Sequence, residues 1–341
     1  MDIRADILRE SIDITSIPQL CKSISLVGSH VADMPLIPTL EESQLRKYRY
    51  VYRRLSAYQE FEIPKKSGGT RKILAPTGEL KKIMKALSYI LNTIYVPTES
   101  AMGFVCKRSV KDNASRHLHA NYVLNIDLSN FFPSISTSQV DRSLRKEGVD
   151  PMVASLIATI CCYPTKTEFG YIQSLPQGAP TSPILSNICC RSLDKQLDGL
   201  AKRFHLTFTR YADDITFSSN HNVYQEDGEF WKELKRIIAE HHFALNDKKT
   251  RLMKCGAKQE VTGVTVGDKV NVSRKYIKNL RAMIHQLKSE RVNKEKLNII
   301  RGKLNYLRMI KGADDPTYKT LCIKFNLAIK GRVPKKRKMS K

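Results

Sequence analysis

Two adjacent carboxylates, Asp213 and Asp214, interrupt an alternating pattern of apolar and polar residues that runs from Leu206 to Ser218. Apolar residues occupy every second position on both sides of the acids, which predicts a β-hairpin with one buried face. Adjacent acids at a turn repel each other, and water or a cation shared with a third ligand relieves that repulsion. Asp-Asp is also ordinary turn chemistry, so this stretch alone leaves both interpretations open.

The charge of the sequence favours a polyanionic partner. The 341 residues carry a formal net charge of +25. From Asn271 to Lys341 there are 21 Lys or Arg against 4 Asp or Glu. Such a density predicts a surface that neutralises phosphates, with nucleic acid as the first expectation and an anionic membrane surface as the second. A merely solvated basic end is the alternative.

Cysteine usage and hydropathy predict a soluble protein of the cytoplasm without a membrane partner. The eight cysteines form no Cys-x-x-Cys pair and no Cys/His cluster, so we expect reduced thiols in the core. The first residues lack the apolar segment of a signal peptide, and the longest mostly apolar run, Met152–Tyr163, is too short to cross a bilayer.

A third acid, Asp127, ends the apolar strand predicted from Tyr122. An acid at the end of a buried strand is presented from a rigid scaffold, although a capping role is equally compatible. If this strand pairs with the predicted hairpin, Asp127 converges with Asp213 and Asp214. Three such carboxylates can bind two Mg²⁺ ions and support an in-line phosphoryl displacement.

Other segments add basic and helical surfaces. Phe61 and Ile73 flank a Gly68-Gly69 turn, which predicts a hairpin. Its arms carry Lys65 and Arg71, which suit a triphosphate or simply solvation. Apolar spacing predicts helices over Leu80–Leu91, Met152–Cys162, Ser182–Asp198 and Phe230–His242, a strand pair around Gly263, and a bundle of three amphipathic helices after residue 271. Together these parts describe nucleotidyl transfer on a nucleic acid.

The order of the blocks resembles that of reverse transcriptases. They are the basic hairpin, Asp127 followed by Phe-Phe, the stretch Leu-Pro-Gln-Gly-Ala-Pro-Thr-Ser-Pro from residue 175, Tyr-Ala-Asp-Asp, a downstream Lys-Thr and the strand with Gly263. The resemblance implies an α+β right-hand polymerase fold, with fingers, an antiparallel palm sheet flanked by helices, and a C-terminal α-helical thumb. It implies an N-terminal helical segment (1–47), fingers (48–120), a palm (121–265, with a fingers insertion at about 150–180), a thumb (266–330) and a basic tail (331–341).

The same resemblance implies roles for individual residues. Asp127, Asp213 and Asp214 correspond to the catalytic ligands of two Mg²⁺ ions. Five residues correspond to nucleotide-binding positions: Lys65 and Arg71 at the triphosphate of the incoming dNTP, Phe132 as the gate that excludes a ribose 2′-OH, Gln177 at the nucleotide and template strand, and Lys249 (or its neighbour Lys248) near the leaving pyrophosphate.

Two short motifs narrow the resemblance to bacterial retron reverse transcriptases. Asn113-Ala-Ser-Arg-His117 fits the pattern Asn-Ala-x-x-His, and Val261-Thr262-Gly263 fits Val-Thr-Gly. The resemblance implies that Asn113, His117, Val261, Thr262 and Gly263 bind RNA. It further implies an RNA-directed DNA polymerase of the bacterial cytoplasm that copies a cognate non-coding RNA of the msr–msd type, primed from a guanosine 2′-OH, into branched multicopy single-stranded DNA (msDNA).

The implied partners follow from that chemistry. They are the RNA and its DNA product, dNTPs, a separate effector protein in anti-phage defence, and a host RNase H. The 78 residues after Gly263 leave no room for an RNase H domain beside a thumb. Two alternatives stay open: a non-retron bacterial defence or group II-like reverse transcriptase, and an RNA-binding scaffold without activity.

Overall fold

The computed structural model describes residues 15–30, 37, 39–65, 68–225, 227–287 and 293–330. The helices are α1 (Ile17–His30), α2 (Glu42–Arg46), α3 (Val51–Ser56), α4 (Gly78–Ile94), α5 (Val110–Ser115), α6 (Thr137–Lys146), α7 (Pro151–Cys161), α8 (Ser182–Arg203), α9 (Glu229–Glu240), α10 (Arg274–Gln286), α11 (Lys294–Lys311) and α12 (Pro316–Ile329). The strands are β1 (Tyr58–Pro64), β2 (Thr70–Pro76), β3 (Tyr122–Ser129), β4 (Tyr163–Thr167), β5 (Gly170–Ser174), β6 (Thr207–Tyr211), β7 (Asp214–Ser219), β8 (Ala244–Leu245), β9 (Arg251–Lys254), β10 (Gln259–Val261) and β11 (Val264–Val266). The predicted basic tail and most of the segment before residue 37 lie outside the described residues.

The chain divides into two compact units, and three of the boundaries between them fall inside β3, β7 and β9. The first contains Met1–Arg108, Asn125–Ile215 and Val223–Arg251, and the second contains Ser109–Leu124, Thr216–Asn222 and Leu252–Lys341. The predicted division into fingers, palm and thumb is drawn differently from these units and stays a prediction.

The first unit contains the basic hairpin predicted around Gly68 and Gly69. β1 and β2 pair antiparallel with Phe61 opposite Ile73, which confirms the hairpin. The backbone N–H of Leu74 on β2 donates to the carbonyl of Gln177 over 2.8 Å. The loop before α8 is therefore hydrogen bonded to β2 of the hairpin.

The predicted hairpin around the paired acids is also present. β6 and β7 are joined by the two residues Ala212 and Asp213, and Asp214 begins β7. The strands follow the order β6-β7-β3-β8, and β9 also pairs with β3. Since β7 and β3 are neighbours, the pairing predicted to bring the three acids together is confirmed.

Helix α8 differs from the prediction at both ends. Its N-cap is Thr181, not Ser182, and the helix continues to Arg203. Leu200 and Ala201 are buried, so the apolar face extends beyond the predicted end at Asp198. Continued burial extends the helix beyond Asp198, and it ends where His205 adopts a left-handed conformation with φ of 51°.

The second unit is built on one apolar core. Helices α10, α11 and α12 contribute the apolar faces predicted for a bundle, and Val261 and Val264 from the β10–β11 hairpin are buried in the same core. Ala114 of α5 joins them. None of the helices in the described part of the chain is both long and apolar enough to cross a bilayer.

Candidate active site

Pairing of β3 with the β6–β7 hairpin brings Asp127 next to the acidic turn. The backbone N–H of Leu128 donates to the carbonyl of Asp213 over 3.0 Å. On the other side of β3, the N–H of Asn246 donates to the carbonyl of Asp127 over 2.8 Å. Backbone hydrogen bonds on both sides of β3 thus fix the position of Asp127. The strand places Asp127 directly beside the acidic turn.

The carboxylate of Asp127 is already neutralised by a cation. The ammonium of Lys249 lies 2.9 Å from both of its oxygens, and the side-chain amide of Asn246 donates to Oδ1 over 2.9 Å. Asp127 is 7% exposed, whereas the side chain of Lys249 is half exposed. A buried carboxylate is stable in its charged form only beside a cation, here the ammonium of Lys249. The position next to Asp127 therefore favours positive charge.

The two acids of the turn carry charge that their surroundings disfavour. Partial dehydration, and then the charge of Asp127, raise the pKa of Asp213 above its ordinary value, while Lys249 and Arg71 act in the opposite direction. Asp214 keeps an exposed edge, yet partial dehydration, followed by the charges of Asp213 and Asp127, raises its pKa to about 7. A bound cation would relieve this repulsion.

The donor set fits a hard divalent cation. Carboxylate oxygens are the ligands that Mg²⁺ prefers, and the ammonium of Lys249 stands on Asp127 where positive charge is needed. Among the residues that the structure describes, no three acidic, histidine or cysteine side chains are arranged to hold one ion. Lys249 and Asn246 engage the oxygens of Asp127, so a metal ion at this carboxylate would have to displace Lys249.

The predicted nucleotide-binding residues occupy the same unit. Arg71 lies close enough to affect the charge of Asp213, and Lys65 closes the tip of the β1–β2 hairpin through its backbone. Both side chains are exposed. Gln177 is half buried and contacts β2 through its carbonyl. Lys249, predicted near a leaving pyrophosphate, instead pairs with Asp127 in this structure.

Phe132 belongs to an aromatic group that starts at the end of β3. Its ring lies 5.3 Å from that of Phe131 and 6.1 Å from that of Phe104, measured between centroids. Phe131 is buried and stacks on Phe243, whereas Phe132 is half buried. The neighbouring rings therefore fix the position of Phe132, and part of its ring stays exposed to solvent.

In the second unit, the residues of the two short motifs contact each other. The amide of Asn113 donates to the hydroxyl of Thr262 over 2.9 Å. Thr262 and Gly263 both have positive φ, of 48° and 78°, as a two-residue turn between β10 and β11 requires. A β-branched residue in this conformation is strained, and the hydrogen bond from Asn113 holds it there.

Three of the five predicted RNA-binding residues are buried in this structure. Asn113 and His117 are each 1% exposed, and Val261 is fully buried. His117 forms a 2.7 Å hydrogen bond with Ser218, and burial, then the nearby Arg116, lowers its pKa to about 3. Thr262 is half buried and Gly263 is exposed, and the RNA contacts of the five residues stay a prediction.

Sequence reasoning missed the buried polar residues behind the turn. Buried Arg210 donates hydrogen bonds to the buried side chains of Asp194 and Asn187, and the amide of Asn246 donates to Asp127. One signal was available: Asp194 lies on the apolar face of α8, where a charged residue needs a buried partner.

Comparison with known proteins identifies the family. The sequence matches the family of reverse transcriptases (RNA-dependent DNA polymerases) over residues 63–307. Retron Mx65 reverse transcriptase from Myxococcus xanthus is 36% identical over 269 residues, which cover 75% of this chain and 62% of that protein. Retron Mx162 reverse transcriptase, also from Myxococcus xanthus, is 32% identical over 279 residues, covering 74% and 57%. Retron Ec86 reverse transcriptase from Escherichia coli is 34% identical over 239 residues, covering 67% and 70%.

The chain therefore belongs to the reverse transcriptase family. Within that family, it belongs with the retron reverse transcriptases. Membership confirms the predicted polymerase fold and the predicted family resemblance. Reverse transcriptase domains generally use divalent metal ions. The chain spans 62% and 57% of the length of the two Myxococcus relatives.

Proposed function

We propose that this protein is an RNA-directed DNA polymerase of the retron type. Its substrate is a cognate structured non-coding RNA, and it extends a guanosine 2′-OH with dNTPs to make branched, RNA-linked msDNA. The observation that carries the proposal is the convergence of Asp127 with the Asp213-Asp214 turn beside Lys249, in a chain of this family. An RNA-binding scaffold has no need of three mutually repelling carboxylates.

Each residue of the site has a role in this proposal. Asp127, Asp213 and Asp214 would hold two Mg²⁺ ions, and Lys249, which pairs with Asp127 in this structure, would yield that carboxylate to the metal. Bound Mg²⁺ supplies activation of the attacking hydroxyl and stabilisation of the leaving oxygen. Arg71 and Lys65 hold the triphosphate, Gln177 contacts nucleotide and template, and Phe132 packs against the sugar.

The RNA-binding surface is proposed on the second unit. It consists of the Thr262–Gly263 turn, with Asn113 as its support, and of the exposed cations on the helices of the predicted thumb. Lys275 and Lys278 on α10 are examples of exposed cations. The proposed effector protein, host RNase H, role in anti-phage defence and bacterial cytoplasm rest on the resemblance to retron enzymes alone.

The proposal is tested on the nucleic acid that accompanies the protein from its native host. This material is treated with RNase A and with debranching enzyme, then separated on a denaturing gel. We expect a discrete DNA whose mobility shifts after debranching. RNA without DNA, from a protein that extends generic primed templates, would instead indicate a non-retron reverse transcriptase. RNA without any polymerase activity would leave only a binding protein.

Truncation of the proposed sugar gate should relax discrimination between sugars. We expect Phe132→Ala to lower the preference for dNTPs over rNTPs by about 10- to 100-fold, because removal of a packing side chain admits the 2′-OH. Single-nucleotide incorporation with each substrate measures this ratio. Phe169→Ala is the control, since Phe169 is 99% exposed in the β4–β5 hairpin. Unchanged discrimination in Phe132→Ala would contradict the gate.

Binding of RNA should depend steeply on salt. The logarithm of the association constant should fall with the logarithm of salt concentration by about 0.7–0.9 for each phosphate contacted. Substitution of Lys275 and Lys278 by Gln should reduce that slope by one such step for each phosphate that the variant no longer neutralises. Lys202→Gln, an exposed change on α8, should leave the slope as it is. A flat salt response of the unaltered protein would mean that its basic charge only serves solvation.

A further inference from the structure

A buried ion pair lies directly behind the acidic turn. The guanidinium of Arg210 binds both carboxylate oxygens of Asp194, with Nε to Oδ1 at 2.6 Å and Nη2 to Oδ2 at 2.8 Å. Both side chains are fully buried. Such a pair adds little net stability, because dehydration of the two charges offsets their attraction. A role beyond stability therefore has to be sought in what else the pair contacts.

The guanidinium also holds the turn itself. Nη1 of Arg210 donates to the carbonyl of Ala212 over 3.2 Å. Ala212 has a φ of +59°, a left-handed conformation that residues with a side chain rarely adopt. Arg210 thus fixes the peptide group that immediately precedes Asp213. This is the point of the turn where the backbone conformation is unfavourable.

A second segment closes on the turn from another side. Asn187 accepts from Nη2 of Arg210 over 3.1 Å and donates to the carbonyl of Gly103 over 2.9 Å. A Cβ on Gly103 would lie 2.5 Å from the nitrogen of Ala212 and 2.9 Å from the carbonyl carbon of Tyr211. Only a glycine permits this approach, since the atoms opposite belong to backbone. The turn is therefore enclosed between the guanidinium and the Gly103 peptide.

We infer that Arg210, Asp194, Asn187 and Gly103 form a positioning set that keeps the Asp213–Asp214 turn in the geometry a divalent cation requires. The inference rests on the proposed function. Three like charges gathered at one site move apart unless the backbone that carries them is held, and ligand groups have to stay within about 0.5 Å of their productive geometry. None of the four residues needs to touch metal, nucleotide or RNA to act in this way.

Three substitutions test the set without removing an acid. Arg210→Lys keeps the charge opposite Asp194 but loses the fork that reaches Ala212 and Asn187. Gly103→Ala forces the turn to shift. Asn187→Ala removes the side chain that links the guanidinium of Arg210 to the carbonyl of Gly103. The matched control is Glu147→Gln. It breaks a partly buried ion pair of 2.7 Å between Glu147 and Arg191. Arg191 lies on α8, as Asn187 and Asp194 do, but this ion pair does not involve the turn.

The measurement is direct binding of Mn²⁺ to the full-length protein with its co-purified RNA, followed by electron paramagnetic resonance. The double variant Asp213→Asn/Asp214→Asn, with the same RNA, gives the background from other sites. We expect Arg210→Lys and Gly103→Ala to weaken Mn²⁺ binding by about 10- to 100-fold, the usual effect of losing a group that orients metal ligands. The Mg²⁺ concentration for half-maximal DNA synthesis should rise in parallel, whereas RNA affinity should not change.

A purely structural role predicts a different pattern. It lowers the unfolding temperature and the folded fraction, but leaves the Mn²⁺ affinity of the folded protein unaltered. That result in Arg210→Lys, or an equal loss of Mn²⁺ affinity in Glu147→Gln, would overturn the inference. If Arg210→Lys or Gly103→Ala does not fold, Asn187→Ala decides, because it retains both the ion pair and the glycine.

The background variant separates this inference from the proposed function. If Asp213→Asn/Asp214→Asn binds Mn²⁺ as the unaltered protein does, the proposed metal site is wrong. If it loses the ion while Arg210→Lys and Asn187→Ala retain it at full affinity, the site stands and only the positioning set is rejected.

Discussion

Replacement of Asp213 by Asn should reduce nucleotide incorporation by about 1000-fold or more while the protein stays folded. A neutral amide cannot balance the charge of a metal ion, whose stabilisation of the transition state is worth several kcal/mol at about 1.4 kcal/mol for each tenfold in rate. The pKa of Asp213 is raised, so its charged form is disfavoured in the folded state above that pKa. Removal of the charge should therefore leave the unfolding temperature unchanged or raise it.

This combination of lost activity with unimpaired stability is the informative outcome. Primer extension on an RNA template measures the first, and thermal unfolding of the same preparation measures the second. Asp268→Asn is the control, because the side chain of Asp268 is fully exposed and belongs to the second unit. A variant at Asp213 that still extends the primer at the normal rate would show that this carboxylate is not a metal ligand.

Local patterns were sufficient to predict much of the fold. Alternation on both sides of Asp213 and Asp214 correctly predicted β6, the turn and β7, and the Gly68-Gly69 pair correctly predicted the β1–β2 hairpin. These elements depend on residues close in sequence, whose periodicity and turn chemistry can be read directly. The pairing of β3 with β7 could be stated only as a condition, because contacts between distant strands leave no local signal.

Buried polar interactions were the part that sequence did not reveal. Lys249, predicted near a leaving pyrophosphate, binds Asp127 in this structure, 122 residues away in sequence, and that contact could not be read from the sequence. Asn113 and His117 were expected at an RNA surface and are instead buried. In each case a polar residue type is compatible with either solvent or an internal partner, and only the tertiary structure determines which one it finds.

Substitution of Gly178 by Ala should separate the Leu-Pro-Gln-Gly loop from the β1–β2 hairpin. Gly178 has a φ of +125°, and a Cβ there would lie 2.8 Å from Cγ2 of Ile73 and 2.9 Å from the carbonyl oxygen of Leu74. The backbone strain costs about 1–3 kcal/mol, and the overlap adds about 1–3 kcal/mol more. Because Gln177 is attached to the same strand through Leu74, we also expect the KM for dNTPs to rise about tenfold or more.

Gly170 provides a matched comparison for the two contributions. Its φ of +122° is nearly the same, but a Cβ added there meets nothing within 4 Å. Gly170→Ala should therefore carry the backbone strain alone and keep the normal KM for dNTPs. Thermal unfolding and single-nucleotide incorporation of both variants measure the difference. Equal stability losses, together with a normal KM in Gly178→Ala, would mean that the close approach of the loop to β2 has no part in nucleotide binding, and Gln177 would lose its proposed role.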